Sequence, residues 1–131
     1  MQAKNEMEAI KALSEKVAGI IESGSNDNGS WIKFADGTMI CGGQISQTLT
    51  RATQRSGCGG YRTSGVTVNF PTAFIETPQL SLLDTSSTDF SLGCRSSSVN
   101  TSYFNVFWHA INSNSSQLNY KADYVAIGRW K

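Results

Sequence analysis

The chain is 131 residues long, carries a formal net charge of +1 with a pI near 7.7, and only 16% of it is Asp, Glu, Lys or Arg. That length holds one domain with a modest core, and so small a net charge gives no long-range field to attract nucleic acid or an anionic membrane. No apolar run approaches the ~20 residues that cross a bilayer, and the opening MQAKNEMEAIKAL has no basic segment leading into an apolar one, so neither membrane insertion nor a secretory signal is expected.

Residues 2–22 place Ala3, Met7, Ile10, Leu13, Val17 and Ile20 on one stripe, three or four positions apart, with Glu and Lys opposite. That period predicts an amphipathic helix. Leu13, Val17 and Ile20 have heptad-like spacing, broadened by Ala9 and Ile21, so the stripe either docks on its own domain or forms a seam between identical chains. An isolated helix of this length is marginal in water, and the polar SGSNDNGS that follows reads as a linker; both favour the seam. The expected division is a helical trimerisation segment with the start of a linker over residues 1–24, then a β domain over 29–131.

From Trp31 the period changes to two. WIKF sends Trp31 and Lys33 to one side and Ile32 and Phe34 to the other. Asp36-Gly37 predicts a two-residue hairpin turn, with TMICGGQI as the returning strand. Residues 46–64, SQTLTRATQRSGCGGYRTS, have no period and hold Gly57, Gly59 and Gly60 with Arg51, Arg55 and Arg62, which predicts a long loop that is either functional or poorly ordered. Further strands are expected at GVTVNF, PQLSLLD, FSLGCR, YFNVFWHAI and ADYVAIGRW. Turns or polar loops separate them at FPTAF, DTSSTD, SSSVNTS and NSNSSQLNYK. About six or seven strands and no second helix predict a mainly β chain: an antiparallel β-sandwich with a short N-terminal α-helix forming a trimeric coiled coil.

Within the predicted loops, Tyr61 stands beside Arg62 with no strand to bury it, which suits contact with a ligand. The planar forks of Arg51, Arg55 and Arg62 can grip an acidic sugar or a phosphate, although solvated loop charge or pairing between subunits is the plainer reading of the three. Asn112, Asn114, Ser115 and Gln117 supply amides and hydroxyls of the kind that read sugar hydroxyls, although ordinary turn chemistry also favours such residues. Trp31, Trp108 and Trp130 lie in strand patterns, where aromatic side chains read as core or interface. Cys41, Cys58 and Cys94 are odd in number and widely spaced, which predicts free thiols; with His109 they lack zinc-site spacing, so neither metal nor cofactor is expected. No Ser/His/Asp order or phosphate-binding Gly motif occurs, and the carboxylates sit at turns and strand ends, so a chain without enzymatic activity is expected.

Three stretches, GSWIKFADGTMIC, VNFPTAFIETPQL and the terminal YVAIGRWK, resemble the C-terminal receptor-binding domains of phage tail-fibre proteins. Their order is similar to that of the H-type lectins, and the resemblance covers residues 29–131. It implies a homotrimeric tip on a virion tail fibre, made in the host cytoplasm, that attaches to the host cell through a surface glycan, lipopolysaccharide or capsule. In those lectins an arginine on the strand before the long aromatic strand contacts sugar, and Arg95 stands at a comparable distance. Their aromatic and histidine after the long strand are replaced by Ile111-Asn112. Two other readings stay open: a structural trimerising tip that binds an outer-membrane protein, and a tip that cleaves polysaccharide.

Overall fold

The computed structural model describes residues 6–9, 19–51, 53–54, 60–86, 91–110 and 114–131, with the backbone alone at 51, 53–54 and 114–116. Its strands are β1 (Ile20–Asn26), β2 (Gly29–Phe34), β3 (Thr38–Arg51), β4 (Thr53–Gln54), β5 (Tyr61–Arg62), β6 (Val66–Asn69), β7 (Gln79–Asp84), β8 (Gly93–Val99), β9 (Tyr103–Ala110) and β10 (Asn114–Arg129). The first sheet runs β1-β2-β3-β10-β7, and the second is built around β9. His109 pairs with both Arg62 and Gly93, and Val106 with both Val66 and Ser96. A strand has two edges, so β5 and β6 lie in line along one edge of β9 and β8 lies along the other. At the break between β5 and β6, fully buried Thr63 donates its backbone N–H to the Trp108 carbonyl at 3.0 Å. Its hydroxyl accepts the Trp108 N–H at 3.0 Å, so a side chain keeps the ladder satisfied across the irregularity.

The core follows the period of two. Met39, Cys41 and Ile45 on β3, with Tyr120, Ala122, Tyr124 and Ala126 on β10, meet Phe104, Val106 and Trp108 of the opposite sheet. Phe104 and Tyr124 pack edge-on with ring centroids 5.0 Å apart, and Phe70 and Phe74 close one end at 5.1 Å. Burying each large side chain contributes about 1.5–3 kcal/mol, so this aromatic layer is what joins the sheets. The two-sheet β architecture expected from the sequence is present, with more strands than expected and two of them, β3 and β10, much longer.

Several local expectations change. Among the described residues helix is confined to 6–9, while Ala3, Ile10, Leu13 and Val17 of the expected stripe lie outside them. Ile20 and Ile21 belong to β1, so the helical reading over residues 2–22 does not hold at its end. SGSNDNGS is no linker but the heart of a β1–β2 hairpin. Asn26 Oδ1 accepts the Asn28 N–H at 2.9 Å, and Gly29 takes φ 136°, where a side chain would strike the Gly42 carbonyl. Across the hairpin the Glu22 carboxylate accepts from Trp31 Nε1 at 2.9 Å and pairs with Lys33 Nζ at 3.0 Å. The Trp31 hydrogen bond, then that of Lys33, holds its pKa below the usual carboxylate range.

The β2–β3 turn has three residues, Ala35 to Gly37, instead of two. Gly37 takes φ 97°, while Asp36 Oδ1 accepts the Thr38 N–H at 2.8 Å, a three-residue loop with its left-handed residue last. Among the described residues, the expected loops at 46–64 and 112–121 are largely strand, because β3 runs on to Arg51 and β10 starts at Asn114. Each is the other's partner, with Leu118 opposite Leu49 and Tyr120 opposite Gln47. β8 likewise runs through Ser96–Val99, part of the expected loop SSSVNTS. The chain ends tied to the β2–β3 turn by Arg129 Nη2 to the Asp36 carbonyl and Trp130 Nε1 to the Phe34 carbonyl, both 2.8 Å.

Candidate functional site

Directly opposed residues share a face, and β9 buries Phe104, Val106, Trp108 and Ala110 inward. Phe107 and His109 therefore point outward, and their rings meet edge-on at 4.9 Å. Arg62 lies opposite His109 on one edge, and Arg95 lies opposite Phe107 on the other. Two of the expected site residues, far apart in sequence, thus flank one strand on one face. The Arg62 guanidinium sits 5.1 Å from the Phe107 ring centre, and its Nη1 donates to the Thr63 carbonyl at 3.1 Å. Phe107 is left only 8% exposed, although it is on the outer side of the sheet. The surface here is cationic, not aromatic.

Along β9 the same face continues as a polar ladder. Thr67 donates to Asn105 Oδ1 at 2.7 Å, and Asn105 Nδ2 donates to Ser98 Oγ at 3.0 Å, crossing three strands. Thr67 and Asn69 also line a groove of about 220 Å³ between β6 and the first sheet, whose other wall includes Asn28, Gln44 and Gln47. Asn26 Nδ2 donates to the Pro71 carbonyl at 2.9 Å and holds the β1–β2 turn beside this groove. Donors and acceptors of amide and hydroxyl type dominate its walls, which suits sugar hydroxyls. The groove is not legible in the sequence, because its residues come from three separate segments. The N-D-N-G turn was the one local signal available.

The other expected site residues are dispersed. Tyr61 is not in a loop: it is half-buried on β5 opposite Ala110, and so turns inward while its neighbour Arg62 turns outward. Asn114, Ser115 and Gln117 belong to β10 in the first sheet instead of a loop, with Asn114 paired to Arg51 and Gln117 exposed. Asn112 lies outside the described residues. Cys41 and Cys94 are free thiols, and Cys58 lies outside the described residues. Burial pushes both described thiols up to about 11, so they are poor nucleophiles near neutrality. Among the described residues no group of three His, Cys, Asp or Glu is placed to hold a metal ion.

This architecture is found in fibre proteins. The chain is similar to an N-truncated R1-type pyocin tail fibre, with a TM-score of 0.57 at 15% identity, covering 90% of this chain and 94% of that one. A C-terminal portion of the R1 pyocin fibre of P. aeruginosa matches with a TM-score of 0.58 at 15% identity, over 88% of this chain and 30% of that one. The tailspike protein gp49 from Pseudomonas phage LKA1 matches at 0.50 and 13% identity, over 75% of this chain and 17% of the tailspike. The fold is thus shared with tail fibres and a tailspike, and it occupies less than a third of the last two chains. No protein-family model matches the sequence, and no curated protein matches it.

Proposed function

We propose that this chain is the tip of a phage tail fibre, carried on the virion, that attaches to the host cell by binding a surface glycan. The carrying observation is the outer face of the second sheet, where Arg62, Arg95 and the Thr67–Asn105–Ser98 ladder present fixed donors and acceptors. The shared fibre fold and the sequence resemblance to tail-fibre tips and H-type lectins support the same reading. Binding proceeds without cleavage in this proposal, since recognition by hydrogen bonds needs no catalytic pair.

The tip acts as a homotrimer. Support comes from the outer face of the first sheet, where Ile32 lies opposite Ile40 and Ile40 opposite Ile127, with Val125 beside them. Ile127 is 48% exposed and Val125 45% exposed, an apolar row that a second copy would cover. Three weak sites on one tip then raise avidity without new contacts.

Labelled chain should bind a panel of bacterial strains, and periodate oxidation of the cell surface should abolish binding while protease shaving spares it. The reverse pattern would transfer the reading to an outer-membrane protein. Shortening of the bound polysaccharide on overnight incubation would establish a cleaving tip instead.

A further inference from the structure

Resting on the glycan-attachment reading, we infer that the outer face around β9 takes an anionic sugar, one bearing a carboxylate or a phosphate, clamped between Arg62 and Arg95. Standard sheet spacings put the two Arg Cα atoms about 12 Å apart, on the strands either side of β9. Both side chains emerge on one face, so their guanidinium groups can converge on a single acidic group or on two neighbouring ones.

Three observations carry the inference. Neither arginine forms an ion pair with a described residue, and the Lys33–Glu22 pair lies on the other sheet. Asp84 of β7 is committed elsewhere, accepting from the Ser86 N–H at 2.8 Å and from Ser91 Oγ at 2.5 Å. Two cations held on one face without a described counter-charge repel each other, and an incoming anion relieves that repulsion.

Arg62 is also supported from behind. Its Nη1 is fixed on the carbonyl of Thr63, and Thr63 is anchored by its hydroxyl accepting the Trp108 N–H. With the guanidinium stacked on Phe107, part of its rotamer freedom is lost before any ligand arrives, which lowers the entropy cost of a two-pronged grip. Finally, the alternative of a neutral sugar stacked on an aromatic ring fails here on accessibility. Phe107 is 8% exposed under Arg62, so a ligand meets the cation before the ring.

Calorimetric titration of the full chain tests this with trigalacturonic acid and glucose 6-phosphate, each against its uncharged counterpart, a galactose trisaccharide and glucose. The two acidic probes separate a uronic-acid source from a phosphate source. At least one should bind and its neutral counterpart should not, with affinity falling as salt is raised. Arg95→Gln should weaken that binding roughly tenfold, and Arg62→Lys should weaken it too, because an ammonium keeps the charge but loses the fork. Arg95 is exposed, so its variant stays folded even where an Arg62 variant does not. Equal binding of neutral and acidic probes, or unchanged binding in both variants, overturns the anionic clamp and leaves glycan attachment standing. Failure of every acidic probe overturns the clamp as well, while the periodate experiment on whole cells judges the attachment reading separately.

Discussion

The two sheets are alike inside and opposite outside. Their inner faces share one aromatic core, but the first sheet turns Ile32, Ile40, Val125 and Ile127 outward, and the second turns Arg62, Arg95, Asn105 and Thr67 outward. An apolar face gains from being covered, whereas fixed charges and amides gain from a polar partner that satisfies them. On the proposed reading, association between copies falls to the first sheet and ligand contact to the second. The contrast also places the two surfaces on opposite sides of the sandwich, so one can be covered while the other stays open.

The largest expected effect comes from breaking the apolar side. Ile127→Asp combined with Val125→Asp should convert a sedimenting trimer to monomer while the far-ultraviolet circular dichroism stays β-rich. Apparent affinity for cells should fall by about 10²–10⁴ as avidity is lost, and a protein that is already monomeric before mutation refutes the assignment. Within the monomer the ranking of the two faces reverses. Phe107→Ala, on the polar side but buried beneath Arg62, should cost about 3–5 kcal/mol in urea denaturation. Half-exposed Ile127→Ala should stay within roughly 0.5 kcal/mol in the same assay.

Thr63→Val sharpens the contrast further, because the Thr63 side chain stands in the second sheet's own ladder at the break between β5 and β6. Losing the acceptor for the Trp108 N–H should cost about 1–3 kcal/mol, again read from the denaturation midpoint.

The core shared by both sheets should give a pH signature belonging to neither face. Burial raises Cys41 and Cys94 from their ordinary 9 to about 11, and Tyr124 from 10 to about 12. The folded state then holds these protons where the unfolded state has released them. Stability is unaffected by these groups below pH 9 and falls progressively from about pH 9 to 12, which thermal melts across that range would show. The smallest effect is expected at Arg95. Arg95→Gln should shift stability by less than about 0.5 kcal/mol, as for an exposed position, so any binding defect it shows is local.

Much of the sandwich was legible because its signals are local. The alternation in WIKF, in YFNVFWHA and in ADYVAIGRW reports which side of a strand meets the core, whatever strand lies next to it. Gly in Asp36-Gly37 likewise announced a reversal, although the turn took three residues. The N-D-N-G reversal is equally local, but the helical stripe before it makes the same residues read as a linker. What the tertiary structure decided was partnership. Gln47–Leu49 and Leu118–Tyr120 carry weak strand patterns alone, and become strand because each satisfies the other's backbone groups. The candidate site follows the same logic. Arg62 was picked out as a residue type, but its face depended on a register with β9, since a shift of one residue exchanges Arg62 for Tyr61 on the outer surface. Local sequence determines which residues can alternate and turn. Hydrogen-bond register between distant strands determines which of them stand together, and that register exists only in the folded sheet.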